Sequence, residues 1–212
     1  MRTSELIAAL AADPIPEPIR LGRRIAAALA VGFLGSLTIY ILMLGPRPDM
    51  AAASETMRFW MKCVDSVAFA LPTLLLTLRL ARPDAKPRAL ALWLLAPFIL
   101  LAAGVVVELL VVPRSEWMSR LMGATALHCT ITIPMLAAPI LVALIVALRP
   151  GAPLYPGLTG AMAGAAAAGV GALVYASSCP GDSPLFVATW YPLATLICVG
   201  VGALAGRRFL AW

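Results

Sequence analysis

The chain reads as six long apolar stretches separated by short polar ones. They fall at about 25–44, 59–80, 89–112, 124–148, 154–176 and 185–206. Each reaches the roughly 20 residues that carry a helix across about 30 Å of hydrocarbon. None alternates apolar and polar positions in ten-residue segments, as a membrane barrel does. Gly and Pro inside them are compatible with membrane helices, which tolerate both. The first stretch exceeds the ~7–15 apolar residues of a signal-peptide core and reads as a retained span. The pattern predicts an all-α, polytopic membrane protein with six transmembrane helices. Residues 1–24 form a segment ahead of the bundle, 25–206 the bundle and 207–212 a tail.

Composition sharpens this only slightly. The 212 residues are 62% hydrophobic and 12% charged, against about 25% charged in a soluble domain, which leaves no block for a separate soluble unit. Charge adds orientation. Eleven of the 16 Lys and Arg fall on one side of the predicted topology, among them Arg23, Arg24, Arg82, Arg88, Arg149 and Arg207. Arg47, Arg58, Lys62, Arg114 and Arg120 fall on the other, and the net charges are +7 and −1. The positive-inside rule therefore predicts cytoplasmic N- and C-termini. The basic excess serves topology and contact with the anionic lipid bilayer, not direct nucleic-acid binding.

Two segments carry further pattern. In "MRTSELIAALAADPIPEP", Thr3 or Ser4 can cap a short helix with Glu5 in its first turn. Leu6, Ile7 and Leu10 then share a face, and Pro14 stops the helix. A helix this short is marginal alone in water, so its apolar stripe needs the bilayer surface, the bundle or another protein. Span five, "LTGAMAGAAAAGVGALVY", pairs Gly160 with Gly164, and span six pairs Gly202 with Gly206. Such spacing lets backbones approach closely, either within one bundle or across a homodimer face.

Candidate chemistry sits among few residues. At about 1.5 Å per residue, Cys129 lies roughly 30 Å from Arg149, at the opposite membrane face. Cys179 lies just beyond span five, in "SSCPGDSPLFVATWYPL", so both thiols are expected to meet the oxidising side. Cys63 and Cys198 fall within spans and read as packed apolar residues. His128 adjoins Cys129 and Asp182 follows Cys179 by three, a donor set suited to a soft metal but with no known metal-motif spacing. Asp65 and Glu108 are intramembrane carboxylates, and Lys62 can pair with Asp65 one helical turn away. In the same outer loop, Ser183 is placed to cap span six, with Trp190 and Tyr191 as interfacial anchors. No nucleotide-binding loop, nucleophile elbow, zinc-protease motif or Cys-x-x-Cys occurs, so an enzyme is not expected and no cofactor is required.

The N-terminal "ELIAALAAD", the "LRPGAP" ahead of span five, and the ending "CPGDSPLFVATWYPL…GRRFLAW" closely resemble the NrsF-like family of bacterial six-helix membrane anti-sigma factors, named for negative regulation of sigma F. The resemblance covers essentially the whole chain, with the C-terminal motif its specific part. It implies a non-catalytic regulator of the inner membrane. Such a protein holds an extracytoplasmic-function sigma factor and releases it under heavy-metal or oxidative stress. The resemblance further implies two sensing cysteines, which by position are Cys129 and Cys179, with transient heavy-metal binding as one mode of sensing. Sigma docking is expected on Leu6, Ile7 and Leu10, assisted by Arg82 and Arg88. The competing expectation is a small transporter or channel using Asp65 and Glu108.

Overall fold

A computed structural model of the protein describes residues 3–5, 21–82 and 88–211. Every regular element among the described residues is helical. The helices are α1 (Leu21–Met43), α2 (Met50–Ser54), α3 (Met57–Leu80), α4 (Arg88–Ala91), a 3-10 turn (Leu92–Leu94), α5 (Leu95–Val111), α6 (Arg114–Met122), α7 (Ala126–Leu148), α8 (Pro156–Ala176) and α9 (Pro184–Phe209). Six helical stretches are long and apolar enough to cross a membrane, and they overlap the six predicted spans. Large apolar side chains such as Leu42, Val67, Ile99, Leu110, Val142 and Leu204 point out of the bundle, as a helix surface facing lipid requires.

Two short helices lie outside the spans and were not expected. Helix α2 follows "GPRPD" between α1 and α3, and α6 follows Pro113 between α5 and α7. In α6 the Glu116 and Arg120 side chains pair across one helical turn at 2.9 Å. Gly123, with φ at +52°, ends α6 in a conformation that favours glycine.

Helix α8 is the hub, packed against α9, α3 and α7. Its small residues explain that position. A Cβ on Gly164 would sit 2.2 Å from the Cys198 carbonyl oxygen of α9, and one on Gly160 would sit 2.1 Å from the Gly202 oxygen. The contact is reciprocal: a Cβ on Gly202 or Gly206 would sit 2.3 Å from the oxygen of Gly160 or Pro156. The glycine spacing is thus used inside one chain, between α8 and α9, where absent side chains let two backbones touch.

The buried core divides by depth. One cluster holds Leu21, Ala81, Leu148 and Leu210, where the chain's arginine-rich connections lie. The other holds Cys129, Tyr175, Cys179, Phe186 and Tyr191. These are the arginine end and the cysteine end of the bundle. The first and last described helices both reach the arginine end, as an even number of spans demands.

Candidate functional site

At the cysteine end, α7 supplies Cys129 near its start, and the connection between α8 and α9 supplies Cys179. Their sulfurs stand 3.6 Å apart. Neither cysteine has any exposed surface, which corrects the expectation of two exposed thiols. The physical reason is the fold of the 177–183 connection, which turns inward over the helix ends. Phe186 then closes against it: a Cβ on Gly181 or Gly123 would lie 2.8 or 2.7 Å from its ring. Only glycine at both positions lets the ring seat there. The Cys129 thiol has two acceptors in reach, the Tyr175 hydroxyl at 3.3 Å and the Cys179 sulfur. The Thr125 hydroxyl lies 3.9 Å from the Cys179 sulfur.

The connection holding Cys179 is clamped by charge. Lys62 Nζ donates to the Cys179 carbonyl oxygen at 3.0 Å and to Asp182 Oδ1 at 2.5 Å. Arg47 donates to the same carbonyl at 3.2 Å and to Asp182 Oδ2 at 2.6 Å. Arg47 also makes a two-point pair with Asp49 at 2.7 Å. Lys62 is 3% exposed and Arg47 9%, so these are buried cations, and burial demands such partners. Lys62 therefore does not pair with Asp65; it reaches across to Asp182, which offers a charge-assisted contact beside a carbonyl that lacks a helical partner. The Asp49 carboxyl is held below its ordinary range by the Arg47 guanidinium. The backbone is pinned as well: Arg47 N–H donates to the Ser177 oxygen at 3.0 Å, and the Ser178 hydroxyl donates to the Gly45 oxygen at 2.5 Å.

These surroundings act on the Cys179 thiol, which is lowered from 9.0 to about 6. The largest cause is the hydrogen bond from Cys129, which opposes the cost of burial; the Lys62 charge, the Gly181 N–H and the Thr125 hydroxyl add to it. A thiolate so favoured is the form that reacts with oxidants and soft metals.

A second carboxylate organises the neighbouring helix end. Glu108 is almost completely buried, and its Oε2 accepts from the Ser183 hydroxyl at 2.7 Å and the Leu185 N–H at 3.0 Å. Glu108 thus caps α9 from another helix, and Ser183 donates to it instead of capping α9 itself. The other oxygen meets Arg120 at 3.3 Å and Arg58 at 3.9 Å. An open cleft of about 460 Å³ lies over this region, lined by Arg58, Arg120, Thr125, Pro180, Gly181 and Ser183.

The remaining expected residues disperse. His128 is exposed, its ring 6.2 Å from that of Tyr175, and Asp182 is engaged by Lys62 and Arg47. Among the described residues no group of three or more His, Cys, Asp or Glu is arranged to hold a metal ion. Asp65 lines a lateral apolar groove of about 470 Å³ between α3, α5, α8 and α9, and its Oδ1 is buried without a hydrogen-bond partner. Cys198 is buried against Gly164, and Cys63 is half-buried. Trp190 donates to the Leu121 oxygen at 2.8 Å, but Tyr191 is buried in the cysteine-end cluster and is no interfacial anchor. Arg82 is exposed at the arginine end and Arg88 opens α4. Leu6, Ile7 and Leu10 lie outside the described residues. Sequence reasoning missed Arg47, Tyr175 and Thr125. Only Arg47 left a signal, an arginine between two prolines and two residues before an aspartate.

Comparison with known proteins bears on the whole arrangement. Residues 10–212 match the family model described as negative regulator of sigma F. The chain belongs to this family. It is 34% identical over its full length to the probable anti-sigma-F factor NrsF of Azospira oryzae, whose full length is also covered. It is 32% identical, again over 100% of both chains, to the anti-sigma-F factor NrsF of Caulobacter vibrioides. No solved structure matches. Membership covers every element of the site, from Arg47 to Ser183.

Proposed function

We propose that this protein is a membrane anti-sigma factor that holds an extracytoplasmic-function sigma factor and frees it when the Cys129–Cys179 pair is oxidised. The observation that carries the sensing half is the pair itself: two buried sulfurs in contact at 3.6 Å, with Cys179 favoured as a thiolate. The holding half is supported by full-length relatives that are themselves anti-sigma-F factors. With the arginine end facing the cytoplasm of a bacterial inner membrane, as the charge asymmetry favours, sigma docks on Leu6, Ile7 and Leu10 with Arg82 and Arg88 assisting. Regulation of this kind needs no catalysis.

The redox step is simple. The Cys179 thiolate attacks hydrogen peroxide, becoming a sulfenic acid as the O–O bond breaks and hydroxide leaves. The Cys129 thiol then displaces that oxygen as water, forming the S–S bond. The two sulfurs must close from 3.6 Å to about 2.05 Å, which draws the 177–183 connection toward α7. Helices α7, α8 and α9 run from there to the arginine end, so a rearrangement among them changes the surface offered to sigma. An oxidant shifts this equilibrium only through the difference in bonding between the two states. A soft metal ion bridging the two sulfurs is the second stimulus of this class. Two thiols with no third His, Cys, Asp or Glu converging on them among the described residues favour the disulfide. The transporter reading loses Glu108, whose oxygens are occupied by the α9 cap and two arginines.

The test is co-purification of sigma with the full chain. Polar replacement of Leu6, Ile7 and Leu10 abolishes it in this reading; undiminished capture and repression would refute the docking assignment.

A further inference from the structure

Two buried cations meet at one backbone carbonyl. Cys129 is fixed by the regular backbone of α7, whereas Cys179 lies just past the end of α8, where its N–H still reaches the Tyr175 oxygen at 3.0 Å but its carbonyl has no helical partner. A buried carbonyl outside a helix needs donors. Here both lone pairs of the Cys179 oxygen are taken by charged donors, Lys62 at 3.0 Å and Arg47 at 3.2 Å, and the same two cations divide the oxygens of Asp182. Neither cation comes from an element that carries a sensing cysteine: Lys62 belongs to α3, and Arg47 to the connection between α1 and α2.

We propose that Lys62 and Arg47 are positioning residues of the cysteine pair, holding the Cys179 sulfur in contact with Cys129 so that the disulfide can close. This rests on the reading of the pair as a thiol switch. The clamp is electrically complete: Lys62 and Arg47 face Asp182 and Asp49. What it adds beyond neutrality is geometry. One ammonium must serve a carbonyl and a carboxylate together, which lysine's three donors and arginine's five allow and an apolar side chain does not. Without the clamp the Cys179 carbonyl loses both of its buried donors and the peptide that carries the sulfur loses its fixed orientation; a misplacement of about an ångström costs about a hundredfold in a positioned reaction.

The test uses the full chain in lipid nanodiscs with Cys63→Ser, and a dipyridyl disulfide as the oxidant. Cys179 attacks the reagent's S–S bond and releases one pyridinethiol; Cys129 then displaces the second, so one reagent is reduced to two thiols as the protein disulfide forms. Closure of Cys129–Cys179 is followed by peptide mass spectrometry, with modification of buried Cys198 as the control for packing. The Lys62→Met/Asp182→Asn variant is expected to close about tenfold or more slowly, with mixed disulfide accumulating and Cys198 still protected, while Lys62→Arg recovers most of the rate. Closure of the double variant within about threefold of the parent, with Cys198 protected, would overturn the proposal. So would an Arg variant as slow as the Met variant. Should Cys198 become reactive in the double variant, Arg47→Gln, which leaves Lys62 and Asp182 in place, decides: slowed closure supports the clamp and parental closure refutes it. A parent pair that never closes defeats the thiol-switch reading itself, an outcome distinct from any confined to the variants.

Discussion

Cys179 joins two opposing demands, burial and ionisation. Burial raises a thiol, yet the Cys129 hydrogen bond and the Lys62 charge bring Cys179 down to about 6. A lowered acid group contributes its stabilisation fully above its unfolded value and loses it as pH falls through the folded one. The thiolate at Cys179 therefore stabilises this end of the bundle above about pH 9, retains part of that effect at neutral pH, and contributes nothing well below about pH 6. Its oxidation rate should follow the same titration, half-maximal near pH 6 where an ordinary thiol is half-maximal near 9. Rates of disulfide closure between pH 5 and pH 9 check this; a midpoint above pH 8 would contradict it. Lys62 makes a separate prediction. Lys62→Ala leaves Asp182 short of a buried partner and should cost on the order of 3–5 kcal/mol, the usual loss when one side of a buried pair is removed. Lys62→Met/Asp182→Asn should cost less, and thermal unfolding of the two variants in the same detergent compares them. Sequence spacing pointed Lys62 at Asp65 because residues three apart share a helix face. It could not see that Asp182, 120 positions away, presents both oxygens to the same pocket.

At the scale of elements, the six spans were legible because a bilayer imposes one length and one polarity on any helix that crosses it. The observed bounds, such as Met57–Leu80 against a predicted 59–80, reflect that constraint. Helices α2 and α6 were not legible. They are short and lie outside the spans; Met50–Ser54 is barely one turn, and the Trp117, Met118, Leu121, Met122 face of the other covers only two turns, too little to stand out beside the spans. The α8–α9 contact was half legible. The glycine spacing announced a close approach, but only the structure shows that each glycine meets the other helix of the same chain. Gly164→Ala should therefore prevent proper folding, since the added Cβ would lie 2.2 Å from the Cys198 oxygen. Gly200→Ala in the same helix pair should be silent, because nothing lies within 4 Å of it. The yield of monodisperse protein from the two variants reads this directly. Glu108 offers a finer test. Glu108→Gln keeps an acceptor for the Leu185 N–H, whereas Glu108→Ala removes the cap from α9 and should cost about 1–2 kcal/mol more in thermal unfolding.

At the scale of the whole molecule, one end carries the thiol pair and its charged clamp, and the other carries most of the arginines. The two cysteines were found from depth along the helices and from the resemblance to NrsF-like proteins. Depth gave their height in the membrane but not their separation, because lateral neighbours depend on helix packing that no local pattern encodes. The same limit explains why the thiols were expected to be exposed: height alone does not reveal an inward-turning connection or the seat of Phe186 between two glycines. The chain belongs to the negative regulator of sigma F family, and in the proposed reading this polarity has a purpose, with chemistry at one end and a partner at the other. The central claim is that closing the cysteine pair releases that partner. The direct measurement takes the full chain in nanodiscs, loaded with its sigma factor and exposed to hydroperoxide, and follows the Cys129–Cys179 disulfide and bound sigma in the same samples. Sigma should leave in proportion to the disulfide and stay bound to a Cys129→Ser/Cys179→Ser protein. Sigma retained on the fully closed pair, or lost equally from the serine variant, would contradict the account.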